Sequence, residues 1–397
     1  MHLEDLIAIR DKKKKYIIGL MSGTSLDGVD AVLIELKGSG TKTEIKLQEF
    51  VTYPFPGGFK EKLLENSTTN SGNVTDICRL NFLLAHLYAD AVKYLLKKAK
   101  VPIKKIDLIG SHGQTIHHLP NKENYLGYRF GSTFQIGDPS VIAKLTGITT
   151  VGDFRTGDVA LNGEGAPLVP YFDYIMFNSS KKNRALLNIG GISNITFLKK
   201  NSTFEDVIAF DTGPGNMMID LLAKKLFKIE YDKDGKLAKG GKINDELLKQ
   251  IIKYDNFIFR TPPKSTGREY YDMSFINKAL QNLFHLPHND IIATFTEFTA
   301  YSIFNNYAFF FKDKILLDEL YVSGGGAYNQ FLLRRLEHYF GYQVSIKTTE
   351  KLNVGVDSKE AVCFAVFANE TLHGNPVNIP NVTGAGRPTI LGKICLP

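Results

Sequence analysis

The sequence predicts an α/β protein of two lobes. Three observations carry that prediction. Apolar strands close in glycine-rich turns at three places: "SGTSLDG" from Ser22, "DTGPGN" from Asp211 and "SGGGA" from Ser323. The second half of the chain repeats the strand–glycine turn–strand order of the first. Helices with a single apolar face lie between these units.

Residues 15–21, 29–37 and 43–53 read as three strands, the third partly alternating apolar and polar residues. From 74 to 100, Leu80, Leu83, Leu84, Leu87, Ala91, Leu95 and Ala99 recur at helical spacing and predict one long amphipathic helix. "IDLIGSHGQT" follows as a buried strand ending in a polar turn. In the second half, "RALLNIGGISNITFLK" (184–199) again reads strand, glycine turn, strand. "DVIAFDTGPGNMMIDLLAKKLF" (206–227) and "ELYVSGGGAYNQFLLRRLEHYF" (319–340) each read strand, turn, helix. The stretch between these two, about 215–313, is mostly helical and is broken by "FRTPPKSTGREYY", whose prolines and glycine make a loop.

The 397 residues suffice for two or three domains or two large lobes. With 43% hydrophobic and 22% charged residues, the composition is that of a soluble globular protein. No apolar run approaches the ~18 residues of a membrane span, and the first twenty residues lack the order of a signal peptide. The three cysteines, Cys78, Cys363 and Cys395, are widely spaced. They support neither a disulfide framework nor a zinc site, which fits a reducing cytoplasm. The net charge of +7 comes largely from lysine runs without interleaved aromatic residues, and Trp is absent. Nucleic acid and membrane are therefore not expected partners.

Three glycine turns in one chain, two of them leading into helices, point to backbone N–H groups gathered around an anion such as a nucleotide phosphate. A polar turn is the plain alternative for any one of them. "GTSLDG" is not a Walker A loop, because Val29 and Asp30 stand where Lys and Ser/Thr are required. None of the three turns carries GxGxxG. What remains is a hairpin-type phosphate clamp in a two-lobed ATPase, with an acid near each turn.

The segments "GLMSGTSLDGVD", "GSHGQTIHH", "VGDFRTGDVA", "GEGAPLVP", "NIGGISNIT", "FDTGPGNMMID", "PPKSTGREYY", "ATFTEFTAYSI", "YVSGGGAYN" and "NIPNVTGAGRPTILGKI" occur in this order. Together, from about residue 16 to 394, they closely resemble the bacterial anhydro-N-acetylmuramic acid kinases. Ser323 stands where cysteine is common in that family, a small-for-small change, and residues 1–15 lie outside the pattern. The resemblance implies a two-lobed ribonuclease H-like ATPase fold with an interlobe cleft, shared with sugar kinases, actin and heat-shock chaperones. It implies an enzyme that uses ATP, Mg²⁺ and water to open the 1,6-anhydro ring of the sugar and phosphorylate O6. The products are N-acetylmuramic acid 6-phosphate and ADP, in cytoplasmic cell-wall recycling. An ordinary sugar kinase on the same fold is the nearest alternative. An ATP-driven protein clamp is a further one, but only ~70 residues follow "GGGA", too few for a second independent domain.

The expected lobes are residues 1–154, with the tail from about 385 to 397 returning to them, and 155–384 with the helical insertion at about 215–313. The resemblance implies that Gly23, Thr24, Ser25, Leu26, Asp27, Gly28, Val29 and Asp30 bind ATP phosphates. Gly213, Gly215, Gly324, Gly325 and Gly326 are expected near the nucleotide, and Asp211 is the expected catalytic base. A helix N-cap or Asx-turn is the alternative for Asp211. His112 and Gln114 offer neutral donors and acceptors to sugar hydroxyls, though a hydrogen-bonded loop histidine is the competing reading. His112, His117 and His118 lack the companion carboxylate of a metal cluster. Arg155 offers a guanidinium fork to the lactyl carboxylate, against a surface salt bridge with Asp153 or Asp158. Glu360 is a sugar contact by resemblance, against a D-x-x-E capping arrangement with Asp357. Lys264, Arg268 and Glu269 sit in a stiff loop that either orders over substrate or tethers helices. The metal ligands are not assigned, and a homodimer is left open.

Overall fold

A computed structural model describes residues 3–23, 26–68, 71–267, 270–352 and 355–397. Its contacts divide the chain into two units, Met1–Met176 with Ser358–Pro397, and Phe177–Asp357.

The first unit is built on β1 (Lys15–Met21), β2 (Gly28–Lys37), β3 (Glu44–Pro54), β4 (Leu108–Ser111) and β7 (Thr150–Gly152). The spatial order is β3-β2-β1-β4-β7, with the C-terminal strand Lys393–Cys395 added antiparallel beside β7. β1, β2 and β3 form an antiparallel meander, while β4 runs parallel to β1 and β7 parallel to β4. Both faces of β1 and β4 are covered, so their residues are apolar almost throughout. Ile18, Leu20 and Ile109 pack with Leu84, Tyr88 and Leu95 of the helix Val74–Ala99. The Asn73 side chain caps that helix by accepting the Asp76 N–H at 2.9 Å.

The opposite face shows why two glycines lie inside adjacent strands. Gly19 pairs with Gly110 across β1 and β4. A Cβ on Gly19 would lie 1.8 Å from the Ala361 carbonyl oxygen, and one on Gly110 2.0 Å from that of Phe364. The missing side chains let the helix Lys359–His373 lie with its backbone directly on the sheet.

β5 (Gln114–Tyr125) and β6 (Tyr128–Ile136) make a separate two-stranded hairpin. Its turn is Leu126-Gly127, both at positive φ (51° and 87°), the conformation whose twist matches a tight hairpin. The sequence reading ended this region at a polar turn. A leucine at positive φ gave no signal of the hairpin.

The second unit repeats the sheet. β8 (Arg184–Ile189), β9 (Ile192–Leu198), β10 (Ile208–Pro214), β11 (Glu319–Ser323) and β12 (Ser345–Thr348) lie in the order β10-β9-β8-β11-β12. Again three strands form an antiparallel meander, and two follow in parallel. The same order and sense in both sheets is the duplicated ribonuclease H-like arrangement. One side packs on the helices His288–Phe310 and Gln330–Phe340 through Phe197, Phe210, Tyr307 and Phe340. Helices 217–222, 236–239, 245–254 and 273–279 gather with the first half of 288–310 in a second apolar cluster.

The observed division differs from the expected one, because residues 155–176 and 358–384 belong to the first unit. The reason is long-range and polar. Asp158, fully buried, accepts from Asn378 Nδ2 and from Thr383 Oγ1 at 2.7 Å each. The helix at 359–373 is seated on Gly19 and Gly110. Neither contact has a periodic signature.

Candidate functional site

The first glycine turn follows β1. Ser22 is buried, donates to Gln114 Oε1 at 2.6 Å and accepts from Tyr88 Oη at 3.1 Å. Burial raises the Tyr88 phenol far above its usual range, so it is a fixed donor. Thr24 and Ser25 lie outside the described residues. Leu26 takes positive φ (55°), and its side chain, like that of Val29, is buried in the core. Neither side chain is therefore available to a ligand, and the Leu26 N–H donates to the Gly23 carbonyl at 3.3 Å. Asp27 is exposed, and Asp30 Oδ1 accepts from Thr52 Oγ1 at 2.6 Å.

Gly28 does not have positive φ. It belongs to β2, and a Cβ there would lie 2.5 Å from the Tyr53 carbonyl oxygen on β3. Strand packing alone thus requires glycine at 28. Gly23 is different, because nothing lies within 4 Å of where its Cβ would be. Gly23→Val is expected to leave the melting temperature near wild type and to raise the KM for ATP. An unchanged ATP KM in the folded variant would return this segment to a plain polar turn.

Arg155, just beyond β7, is half-buried. Its Nε donates to His112 Nε2 at 2.9 Å and its Nη1 to the Gly165 carbonyl at 2.6 Å. His112 Nδ1 lies 2.9 Å from the Gly113 carbonyl. Both bonds are satisfied together only by the neutral tautomer with the proton on Nδ1. Burial first, and the neighbouring guanidinium second, push the His112 pKa down to about 3. Both ring nitrogens of His112 are thus engaged within the protein. Nε2 of His112 holds the Arg155 guanidinium, and the expected sugar contact of His112 would have to form alongside that bond. The expected alternative for Arg155, a salt bridge to Asp153 or Asp158, is absent. Asp153 pairs with Thr156 and Lys393, and Asp158 holds the Gly165 N–H, Asn378 and Thr383. The remaining Arg155 N–H groups donate to no described protein atom.

Gln114 is buried. Its Oε1 is taken by Ser22, and its Nε2 donates to the Thr115 carbonyl at 3.3 Å. One Nε2 hydrogen is left. Glu360 is half-buried and directly follows Lys359, which makes a buried ion pair with Asp173 (2.7 Å). Burial raises its pKa, while Lys359 and Arg155 oppose the rise. The capping alternative fails, because Ser358 is the N-cap of this helix and no side chain closes the cap. Asp357 instead accepts from Tyr328 Oη at 2.8 Å.

In the second unit, Asp211 lies in the middle of β10, where the register with β9 shifts between Asp211 and Gly213. Its N–H donates to the Lys264 carbonyl at 3.1 Å, and its Oδ2 accepts the Thr266 N–H at 2.9 Å. It is not a helix cap, since the next helix begins at Met217 behind Asn216. The "PPKSTG" loop is therefore fastened to Asp211 and is not a simple tether between helices. Arg268 and Glu269 lie outside the described residues.

The turn after Asp211 interlocks with the "GG" turn between β8 and β9. The N–H groups of Gly215 and Asn216 donate to the Gly191 and Gly190 carbonyls, both at 2.8 Å. A Cβ on Gly215 would lie 2.2 Å from the Gly190 oxygen. Gly215 is thus glycine because a second turn approaches it, and its N–H is not available to a phosphate. Gly213 sits at φ 140°. Gly324 (φ 77°) and Gly326 accommodate Ile189, whereas the Cβ direction of Gly325 is open to 3.5 Å. The sequence placed a glycine turn at Gly190 and Gly191 but assigned neither of them, nor Asn216, to the site.

These motifs belong to a single sequence family. The family model for anhydro-N-acetylmuramic acid kinase matches residues 15–397. The chain belongs to the anhydro-N-acetylmuramic acid kinase family. It is 46% identical to the anhydro-N-acetylmuramic acid kinase of Caldanaerobacter subterraneus subsp. tengcongensis, over 99% of this chain and all of that one. It is 44% identical to that of Bacillus cereus (strain G9842), over 96% and 99%. Among solved structures, component A of the Acidaminococcus fermentans (R)-2-hydroxyglutaryl-CoA dehydratase aligns at 12% identity with a TM-score of 0.43, over 90% of this chain and 99% of that one. As a member of this kinase family the chain is a phosphotransferase, and ATP is its implied phosphoryl donor. No helix among the described residues is long and apolar enough to cross a membrane.

Among the described residues no group of three or more His, Cys, Asp or Glu is arranged for a metal. Mg²⁺ is commonly held by substrate phosphates, waters and one or two carboxylates, without such a cluster. Asp27 and Asp30 are the carboxylates beside the first turn that could hold such an ion.

Proposed function

We propose that this kinase opens the 1,6-anhydro ring of anhydro-N-acetylmuramic acid with water and phosphorylates O6, yielding N-acetylmuramic acid 6-phosphate and ADP in cytoplasmic cell-wall recycling. The observation that carries the reading is the fixed carboxylate of Asp211, gripped through its own N–H and its Oδ2 by one loop, in a chain that matches the family over nearly its whole length. A carboxylate so held accepts the proton of a water attacking C1. O6, released as the ring opens, takes the phosphoryl group. Mg²⁺, when bound, offsets the phosphate charge. Gly23 of the first turn is the backbone contact for an ATP phosphate in this reading, and Gly213 shapes the turn beside the base.

Arg155 grips the lactyl carboxylate with the N–H groups left over from His112 and Gly165, and Glu360 and Gln114 take hydroxyls. Because His112 is neutral above about pH 4, it leaves the guanidinium unchallenged by a second charge across the working range. Arg155→Ala is expected to raise the KM for the sugar ~10-fold or more, the usual loss of a charge-assisted pair, with the ATP KM nearly unchanged. A rise confined to the ATP KM would remove Arg155 from the sugar pocket.

Mass spectrometry of the product formed from ATP, Mg²⁺ and the anhydro sugar tests the reaction. A gain of one phosphoryl group and one water is expected. A gain of phosphoryl alone would leave an ordinary sugar kinase.

A further inference from the structure

The Lys264 side chain leaves the loop that grips Asp211 and turns back into the second unit. Its Nζ donates to the Phe257 and Ile258 carbonyls at 3.2 and 2.9 Å. Three ring centroids surround it, those of Phe257 at 4.8 Å, Phe310 at 5.4 Å and Phe210 at 5.9 Å. The rings come from three separate segments, and Phe210 immediately precedes Asp211. An ammonium in such a cage is held by two carbonyl dipoles and by the ring faces. A neutral amine loses most of that attraction. The main chain of the same loop supplies two groups that fix Asp211, the Lys264 carbonyl and the Thr266 N–H.

We propose that Lys264 is the positioning residue for Asp211: its caged ammonium anchors the loop 262–267, and the anchored loop aims the Asp211 carboxylate. The inference rests on the reading of Asp211 as the base. A base displaced by about 1 Å loses on the order of 10²-fold in rate, so the anchor bears on kcat and not on substrate affinity.

The surroundings set a pH dependence. Burial lowers the Lys264 pKa to about 8, Asp255 and Asp211 hold it up, and Arg260 lowers it further. The Asp255 carboxylate also accepts from Tyr271 Oη at 2.8 Å, and the Tyr270 ring packs near Phe257 with its hydroxyl accepting the Asn256 N–H. Both tyrosines are themselves raised by burial and so stay neutral through this range. As pH rises through about 8, Lys264 loses its proton and kcat falls.

The test compares Lys264→Met, Lys264→Arg and Asp211→Asn, each with a thermal melt. Lys264→Met is expected to lower kcat by at least ~30-fold, with both KM values within about threefold of wild type. Lys264→Arg, which keeps the cation, should recover most of kcat and move the alkaline limb upward by at least about one pH unit. In the Asp211→Asn background, Lys264→Met should cost less than about threefold, because the two changes act through one group. A folded Lys264→Met enzyme with wild-type kcat, or full additivity with Asp211→Asn, overturns the proposal. Wild-type turnover in Asp211→Asn would instead sink the base assignment beneath it. If both Lys264 variants fail to fold, the wild-type kcat profile decides. A flat profile between about pH 7 and 9 refutes the anchor, and a limb near 8 that coincides with the Lys264 Nζ titration followed by NMR supports it.

Discussion

Asp211→Asn is expected to lower kcat by ~10²–10⁴, the usual reach of general base catalysis, while ATP and sugar still bind. The amide keeps the size of the side chain, and its oxygen still accepts the Thr266 N–H that Asp211 Oδ2 accepts at 2.9 Å. The backbone bond to the Lys264 carbonyl is untouched. What is lost is the capacity to take a proton from water. A capping role would have predicted little change, but the following helix starts at Met217 without help from Asp211. The companion measurement is turnover of the wild-type enzyme in ¹⁸O-water, read before the anomeric oxygen exchanges. Label at C1 is expected. Unlabelled C1, or an Asp211→Asn enzyme with near-normal kcat, would overturn the hydrolytic mechanism.

Gly110→Val is expected to have the largest effect on stability. The first added carbon would lie 2.0 Å from the Phe364 carbonyl oxygen and 3.0 Å from the Ala368 Cβ. Neither is the end of a flexible side chain, so the helix Lys359–His373 must lift off the sheet. That displacement also moves Glu360, and it breaks contacts made by the buried Ala361, Phe364 and Ala365. The loss is expected to reach or exceed the ~3 kcal/mol upper end of ordinary overpacking. It would be read as a large fall in Tm or as insoluble protein. Gly57→Ala is the control, because no atom lies within 4 Å of the position its Cβ would take and its φ is not positive. A Gly110→Val protein melting like wild type would mean that the helix does not rest on this glycine.

Much of the architecture was legible because it is written in local periodicity. Leu80, Leu84 and Leu95 recur at helical spacing, and the helix Val74–Ala99 buries them. The apolar runs at 184–199 and 319–323 became strands within a residue or so of where the pattern placed them. The glycine turns and the ordered motifs were enough to identify the family, because so many long segments in one order do not recur by chance. The reasons for individual glycines were not legible. The letter G is the same whether the backbone must reach a ligand or another backbone must come close. Gly28 turned out to face Tyr53, Gly215 to face Gly190, and Gly19 and Gly110 to seat a helix from the far end of the chain.

The same limit applied to the polar groups. "DFRTGD" offered Arg155 two carboxylates within three residues, and a local salt bridge was the alternative to a ligand contact. The folded chain instead gives the guanidinium to His112, and uses Asp158 to tie down Asn378 and Thr383. Likewise "PPKSTG" read as a stiff loop, but its grip on Asp211 and the burial of Lys264 among Phe210, Phe257 and Phe310 are contacts between residues scattered over a hundred positions. The sequence by itself determined most of the elements, the hairpin at 114–136 excepted, and the family they belong to, because both follow from short-range pattern. Only the tertiary structure decided which donor meets which acceptor, because buried polar groups must find partners wherever the fold brings them.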